Sequence, residues 1–290
     1  MTEAAKLADD QKEDDSNANS LGAQGPASRL FRAQIGCFAD QPSRNTIDAL
    51  THWVEDRFRE DLGRRPSRHV YVRRLPAGVI AMIDLLRDSP QIVDAIRAQF
   101  PADSVLTPMK HTDELYISHY NKDRGGDQGL YDRHYDGNLR SLPRVAVVRA
   151  LIYLQSDASY KVVFRDSRVE KAFATYDYGL LDFHRELHWV EGRYNPADRQ
   201  RMLLKCNYLI APRNATWLAR LAMGINTGVF YVVKAAMEYS RSPRTPAQRA
   251  VGLLCNLFRV LNNVHPLIPV ALSLAVAFGI LWGVVRLAAG

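Results

Sequence analysis

The 290-residue chain is predicted to be an α+β protein, with packing helices first, an antiparallel β-sandwich or barrel second, and an apolar helix at the C-terminus. Three observations carry this. Apolar residues recur at helical spacing up to residue 101, the period then shifts toward two over roughly the next 110 residues, and residues 266–285 hold no formal charge.

The elements follow in order. Residues 1–28, with DDQKEDDSNANS and GAQGPAS, hold six acids and two lysines, for a net charge of −4, and are poor in aromatics. Burial cannot offset the entropy of ordering such a segment, so it is read as a disordered acidic tail. Residues 29–101 are read as a helical support. NTIDALTHWVEDRFREDLG sets Ile47, Leu50, Trp53, Val54 and Phe58 on one stripe, with Gly63 as its stop. Two shorter helices follow in PAGVIAMIDLLRDS and SPQIVDAIRAQF.

From 102 to 215 the segments ELYISHY, RVAVVRALIYLQS, YKVVF, AFATYDYG, LLDF and RMLLKCNYLIA are short and rich in β-branched and aromatic residues. Gly, Asp, Ser or Pro separates them, which is the signature of antiparallel strands. Residues 216–265 form a basic, helical, amphipathic region, in which LARLAMGINTGVFYVVKAAM (218–237) is interrupted by Arg220 and Asn226. This stretch reads as a helix lying in a membrane plane or packed on the domain, or else as a second span.

The uncharged run PLIPVALSLAVAFGILWGVV has 20 residues, and a helix of that length rises about 30 Å, the thickness of the hydrocarbon layer. A transmembrane helix over 266–286 is therefore expected, as a single-pass C-terminal anchor. Arg241, Arg244, Arg249 and Arg259 precede it and one Arg follows, which places the main domain on the cytosolic side.

Charge and cysteine usage narrow the partners. With −4 in the tail, the formal charge of +7 leaves +11 for the remainder, and residues 213–265 hold seven Arg/Lys against one Glu. Such a belt suits an anionic membrane surface or a nucleic acid, but no aromatic-basic motif for binding single strands accompanies it, so nucleic acid is not expected. Cys37, Cys206 and Cys255 are far apart and lack CxxC spacing, which excludes a disulfide scaffold or a cysteine zinc site. The acidic N-terminus does not read as a signal or transit peptide.

The chemistry concentrates in YDRHYDG (131–137). On a strand, His134 and Asp136 point to one side and offer a nitrogen and an oxygen ligand; in a turn they are mere decoration. A third ligand would complete a facial triad of the non-haem iron type, with three open positions. His188 lies 52 residues beyond Asp136, in GLLDFHRELHWVEG. His184 competes with it, and HRELH superficially suggests a zinc-protease helix. That motif needs Glu at its second position, where this chain has Arg185, so the protease reading is rejected and His188 preferred.

HYD, a Gly-x3-Phe-x4-His segment ending at His188, and a basic strand RQRMLLKCNYL resemble the Fe(II)- and 2-oxoglutarate-dependent dioxygenases, in particular the prolyl-hydroxylase-like branch. The likeness runs over about residues 112–210. It implies a double-stranded β-helix (jelly-roll) core in residues 102–215 of an oxygenase domain spanning 29–215. It implies Fe(II) on His134, Asp136 and His188, with 2-oxoglutarate and O2 in the open positions and ascorbate as an accessory cofactor. The distal carboxylate of 2-oxoglutarate needs a fixed cation. Arg201, thirteen after His188, is at the family's position, and Lys205 on the same strand face is the alternative; Arg193 lies too close to the ligand. Tyr120, fourteen before His134, matches a tyrosine the family often turns to the cosubstrate, and Asn138 and Tyr131 are read as shaping the pocket.

The activity so implied is oxidation of a C–H bond on a protein side chain or a small molecule, with release of succinate and CO2. The other class considered is a non-catalytic, membrane-tethered jelly-roll scaffold or binding module.

Overall fold

Alternate residues of the strand Arg201–Pro212 face different partners, and that alternation organises the molecule. Met202, Leu204, Cys206, Tyr208 and Ile210 join the core beneath the helices, whereas Leu203 joins a second core that faces the other sheet. The structure, a computed structural model, describes residues 31–62, 67–118, 133–137, 145–192, 201–241 and 245–250, together with Leu253 and Leu257.

In chain order the elements are β1 (Gln34–Cys37), α1 (Gln41–Leu62), β2 (Ser67–Tyr71), α2 (Ala77–Arg87), α3 (Pro90–Arg97), β3 (Ser104–Pro108) and β4 (Glu114–Ser118). Then come β5 (Ala146–Gln155), β6 (Asp157–Phe164), β7 (Val169–Ala174), β8 (Asp177–Asp182), β9 (His188–Gly192), β10 (Arg201–Pro212) and α4 (Thr216–Arg241). The larger sheet runs β1-β8-β5-β10-β4-β2, with β3 also on β10, and the smaller runs β7-β6-β9. The strand pairs are antiparallel, and a bridge from His134 to His188 adds the HYD segment to the edge of the smaller sheet. From β5 onward the chain passes between the two sheets, with β5, β8 and β10 in the larger and β6, β7 and β9 in the smaller, so the mixed helix-and-sheet architecture is consistent with the jelly roll expected from sequence.

Three packing layers position the site. The predicted stripe of α1 is buried at Ile47, Leu50, Val54 and Phe58, where it meets Val148, Ala150 and Ile152 of β5, with Ile83 and Leu86 of α2 and Ile92 and Ile96 of α3 in the same core. Asp40 caps α1 by accepting the Ser43 amide at 2.8 Å on Oδ1, and Pro90 opens α3, where a missing amide costs nothing. Between the sheets, Tyr116, Leu151, Tyr153, Phe164, Phe173 and Leu203 form the second core. α4 closes a third cluster through Ala222 against Val145, Val147, Leu209 and Ala211.

Some elements differ from the sequence reading. β1 and β2 lie within the stretch read as helical; each is a short edge strand whose partner, β8 or β4, is remote in sequence. AFATYDYG is two strands in different sheets, because the chain turns at Tyr176, whose φ is +74°. Residues 218–237 belong to α4, which packs on the domain while Trp217, Leu221 and Ile225 remain exposed.

The expectation of a membrane anchor needs correction. Among the described residues no helix is long and apolar enough to cross a membrane, so neither a transmembrane helix nor a location derived from one is indicated. The run 266–286 on which the expectation rested lies outside the described residues, as do the tail 1–28, Tyr120, Tyr131, Asn138 and Arg193.

Candidate metal centre

His134 and His188 exchange both backbone hydrogen bonds, the His134 amide donating to the His188 carbonyl at 3.0 Å and the His188 amide returning at 3.1 Å. This antiparallel pairing brings the two imidazoles side by side, with ring centroids 4.5 Å apart. Asp136, two residues past His134, then faces both rings. His134 Nε2 lies 3.8 Å from Asp136 Oδ1, and His188 Nε2 lies 3.7 Å from Oδ2. One ligand atom from each of the three falls within 4.8 Å of the others.

Local bonds fix His188 and the chain that follows Asp136. The carbonyl of Glu186 lies 3.2 Å from His188 Nδ1 and can only accept, so the proton sits on Nδ1 and the Nε2 lone pair is left toward the centre. The Glu186 carboxylate is itself held by the Ser167 hydroxyl at 2.5 Å and by the Asp166 amide at 2.9 Å. Gly137 donates its amide to the Phe183 carbonyl at 2.7 Å, which pins the chain just after Asp136. A Cβ at Gly137 would meet His184 Nδ1 at 2.1 Å and Phe183 Cδ1 at 2.6 Å, so only glycine permits this approach.

Electrostatics favour metal-ready protonation states. Burial pushes His188 down to about 4, against the opposing attraction of Asp136, so its imidazole is neutral near neutral pH. Burial alone would raise Asp136. The Arg149 guanidinium, 2.7 Å from Oδ2, together with His188, Lys205 and His134, outweighs it and holds the carboxyl well below the usual range. Two imidazole nitrogens and a carboxylate oxygen are a ligand set that suits a divalent first-row transition metal.

His184, the sequence competitor, turns elsewhere: its Nε2 lies 2.9 Å from Asn226 Oδ1 on α4. Arg201 enters between the sheets. Its Nη2 donates to the Tyr153 hydroxyl of β5 at 3.1 Å, and its guanidinium carbon lies 6.0 Å from the ring centre of Tyr160 on β6. Arg201 is 5 % exposed, and its Nε and Nη1 are buried without a hydrogen-bond partner. Lys205 is engaged, with Nζ 3.5 Å from Glu114 Oε1 and 4.7 Å over the Tyr116 ring.

Sequence reasoning missed Arg149 and Tyr153. Arg149 is the one formal charge in AVVRALIYLQ, an otherwise apolar strand, and a charge in such a run is a signal that it has a buried partner. Tyr153 carries no comparable mark, since a strand tyrosine reads as core.

No protein-family model and no curated protein matches the chain. Among solved structures it is similar to AviO1 from Streptomyces viridochromogenes Tue57, at 12% identity over 62% of this chain and 90% of that one, with a TM-score of 0.42. It is also similar to SnoN, a non-heme alpha ketoglutarate dependent epimerase from nogalamycin biosynthesis, at 14% identity over 64% and 83% of the two chains, with a TM-score of 0.41. A Pseudomonas putida prolyl-4-hydroxylase is similar at 15% identity over 62% and 92%, with a TM-score of 0.38. Likeness at these levels supplies no functional argument, and the function rests on the side chains.

Proposed function

We propose that the chain is an Fe(II)- and 2-oxoglutarate-dependent oxygenase of hydroxylase type, acting on a C–H bond of a protein side chain or small molecule. The convergence of His134, Asp136 and His188 within 4.8 Å carries this reading. Arg201 supports it independently. A buried guanidinium with two unmatched donors fits a carboxylate, and Tyr153 adds a hydroxyl beside it.

In this reading His134, Asp136 and His188 hold the iron on one face. Arg201 and Tyr153 bind the distal carboxylate of the cosubstrate and orient it, while the apolar lining of Leu151, Leu203 and Phe173 excludes water. When bound, Fe(II) with 2-oxoglutarate and O2 supplies the oxidising chemistry that couples cosubstrate decarboxylation to C–H oxidation. Lys205 is the lesser candidate for the carboxylate, because Glu114 already occupies its ammonium.

Full-length protein with Fe(II) and carboxyl-labelled 2-oxoglutarate tests the reading. Release of labelled CO2 that disappears in His134→Ala is expected. No release under any substrate mixture, or equal release from the variant, would contradict it.

A further inference from the structure

The acidic ligand of the proposed metal centre is tied to a buried chain of polar groups that continues into the helical layer. Arg149 Nη1 pairs with Asp136 Oδ2 at 2.7 Å, and its Nε donates to Asn207 Oδ1 at 2.9 Å. Asn207 Nδ2 donates to the Thr112 hydroxyl at 3.0 Å and to the Thr112 carbonyl at 3.3 Å, while its amide donates to Asp113 Oδ1 at 3.0 Å. Asp113 Oδ2 accepts Arg87 Nε at 2.7 Å, and Arg87, the last residue of α2, also pairs with Asp84. Arg149, Asn207, Asp113 and Arg87 are all buried.

A buried guanidinium beside a metal site is costly on two counts, desolvation and repulsion of the cation it adjoins. Something must retain it. The contacts of Arg149 run to Asp136, to Asn207 and to the face of Phe183, whose ring centre lies 4.4 Å from its guanidinium carbon. Its planar fork therefore fixes one carboxylate oxygen and is itself fixed by Asn207, so Asp136 is not free to rotate. A mobile carboxylate next to a divalent ion can turn its second oxygen inward and chelate, which fills a coordination position. With Oδ2 engaged by Arg149, Oδ1 is the oxygen better placed to serve the metal.

We propose that Arg149 is a positioning residue that enforces one-oxygen coordination by Asp136, and that Asn207 braces it against the Asp113–Arg87 pair. The inference rests on the reading of His134, Asp136 and His188 as a metal centre. By keeping a position clear of carboxylate, the clamp leaves room for a two-point ligand such as 2-oxoglutarate.

Full-length protein loaded with Co(II) tests this, since the visible spectrum of Co(II) reports coordination number. In Arg149→Met the band is expected to change shape and intensity. Affinity for 2-oxoglutarate at saturating Co(II) is expected to fall about 10- to 100-fold, the range for loss of groups that orient metal ligands. Asn207→Ala, which keeps both Arg149 and Asp136, is expected to alter the same two readouts to a smaller degree, and it decides the matter if Arg149→Met does not fold. A wild-type Co(II) spectrum and 2-oxoglutarate affinity in either folded variant would overturn the clamp. Failure of the wild-type protein to take up Co(II) would instead overturn the metal-centre reading itself.

Discussion

Arg201 Nη2 donates to the Tyr153 hydroxyl at 3.1 Å, while the Nε and Nη1 of the same guanidinium are buried with no partner. Unmatched buried donors on a charged group are costly, and an anion with two acceptor oxygens relieves that cost. A charge-assisted hydrogen bond contributes about 1.5–3 kcal/mol, so Arg201→Met should raise the KM for 2-oxoglutarate about 100-fold. Tyr153→Phe should raise it by about a factor of ten or less. Lys205→Met should change it least, because its ammonium already meets Glu114. Initial rates of cosubstrate decarboxylation give this ranking, and the reverse order would assign the carboxylate to Lys205.

Gly137 lies where the HYD segment touches the turn after β8. An alanine there would place Cβ 2.1 Å from His184 Nδ1 and 2.6 Å from Phe183 Cδ1, in a region where the rings are packed against Asn226 and Arg149. Overpacking of this kind costs about 1–3 kcal/mol. Gly137→Ala should therefore lower the denaturant midpoint and, by displacing Asp136, weaken metal binding. Wild-type values for both would show that the neighbours yield freely.

Acid should destabilise the metal-free protein through its buried histidines. Burial pushes His184 down to about 4, opposed by its bond to Asn226 and reinforced by Arg149 and Arg185. The folded state thus binds fewer protons than the unfolded state, whose histidine titrates near 6.5. Stability is complete above the unfolded value and is lost as pH falls toward about 4, by up to roughly 3 kcal/mol for this group. Burial lowers His188 to about 4 as well, so its contribution has the same sign. Denaturation midpoints measured across this window should fall steeply for the wild type and less steeply for His184→Gln. Equal slopes would remove His184 from the linkage.

What the sequence disclosed follows from the range of the forces involved. The α1 stripe from Ile47 to Phe58 and the alternation of β10 are local periodicities, so both were legible. The HYD pair and His188 were legible as residue types in order, although their approach depends on a bridge between segments more than 50 residues apart. β1 was not, because four residues pairing with β8 across about half of the chain leave no local pattern. The break of AFATYDYG depends on a left-handed residue, Tyr176, that carries no glycine to announce it. Arg149 and Tyr153 acquire meaning only once β5 sets them inward beside Asp136 and Arg201.

The most direct test is titration calorimetry of the full-length protein with Ni(II), a redox-inert stand-in for iron. A single tight site is expected, weakened at least about 100-fold in His188→Ala because one of three ligands is gone. Absence of binding by the wild type, or equal affinity in His188→Ala, would contradict a metal centre built from His134, Asp136 and His188.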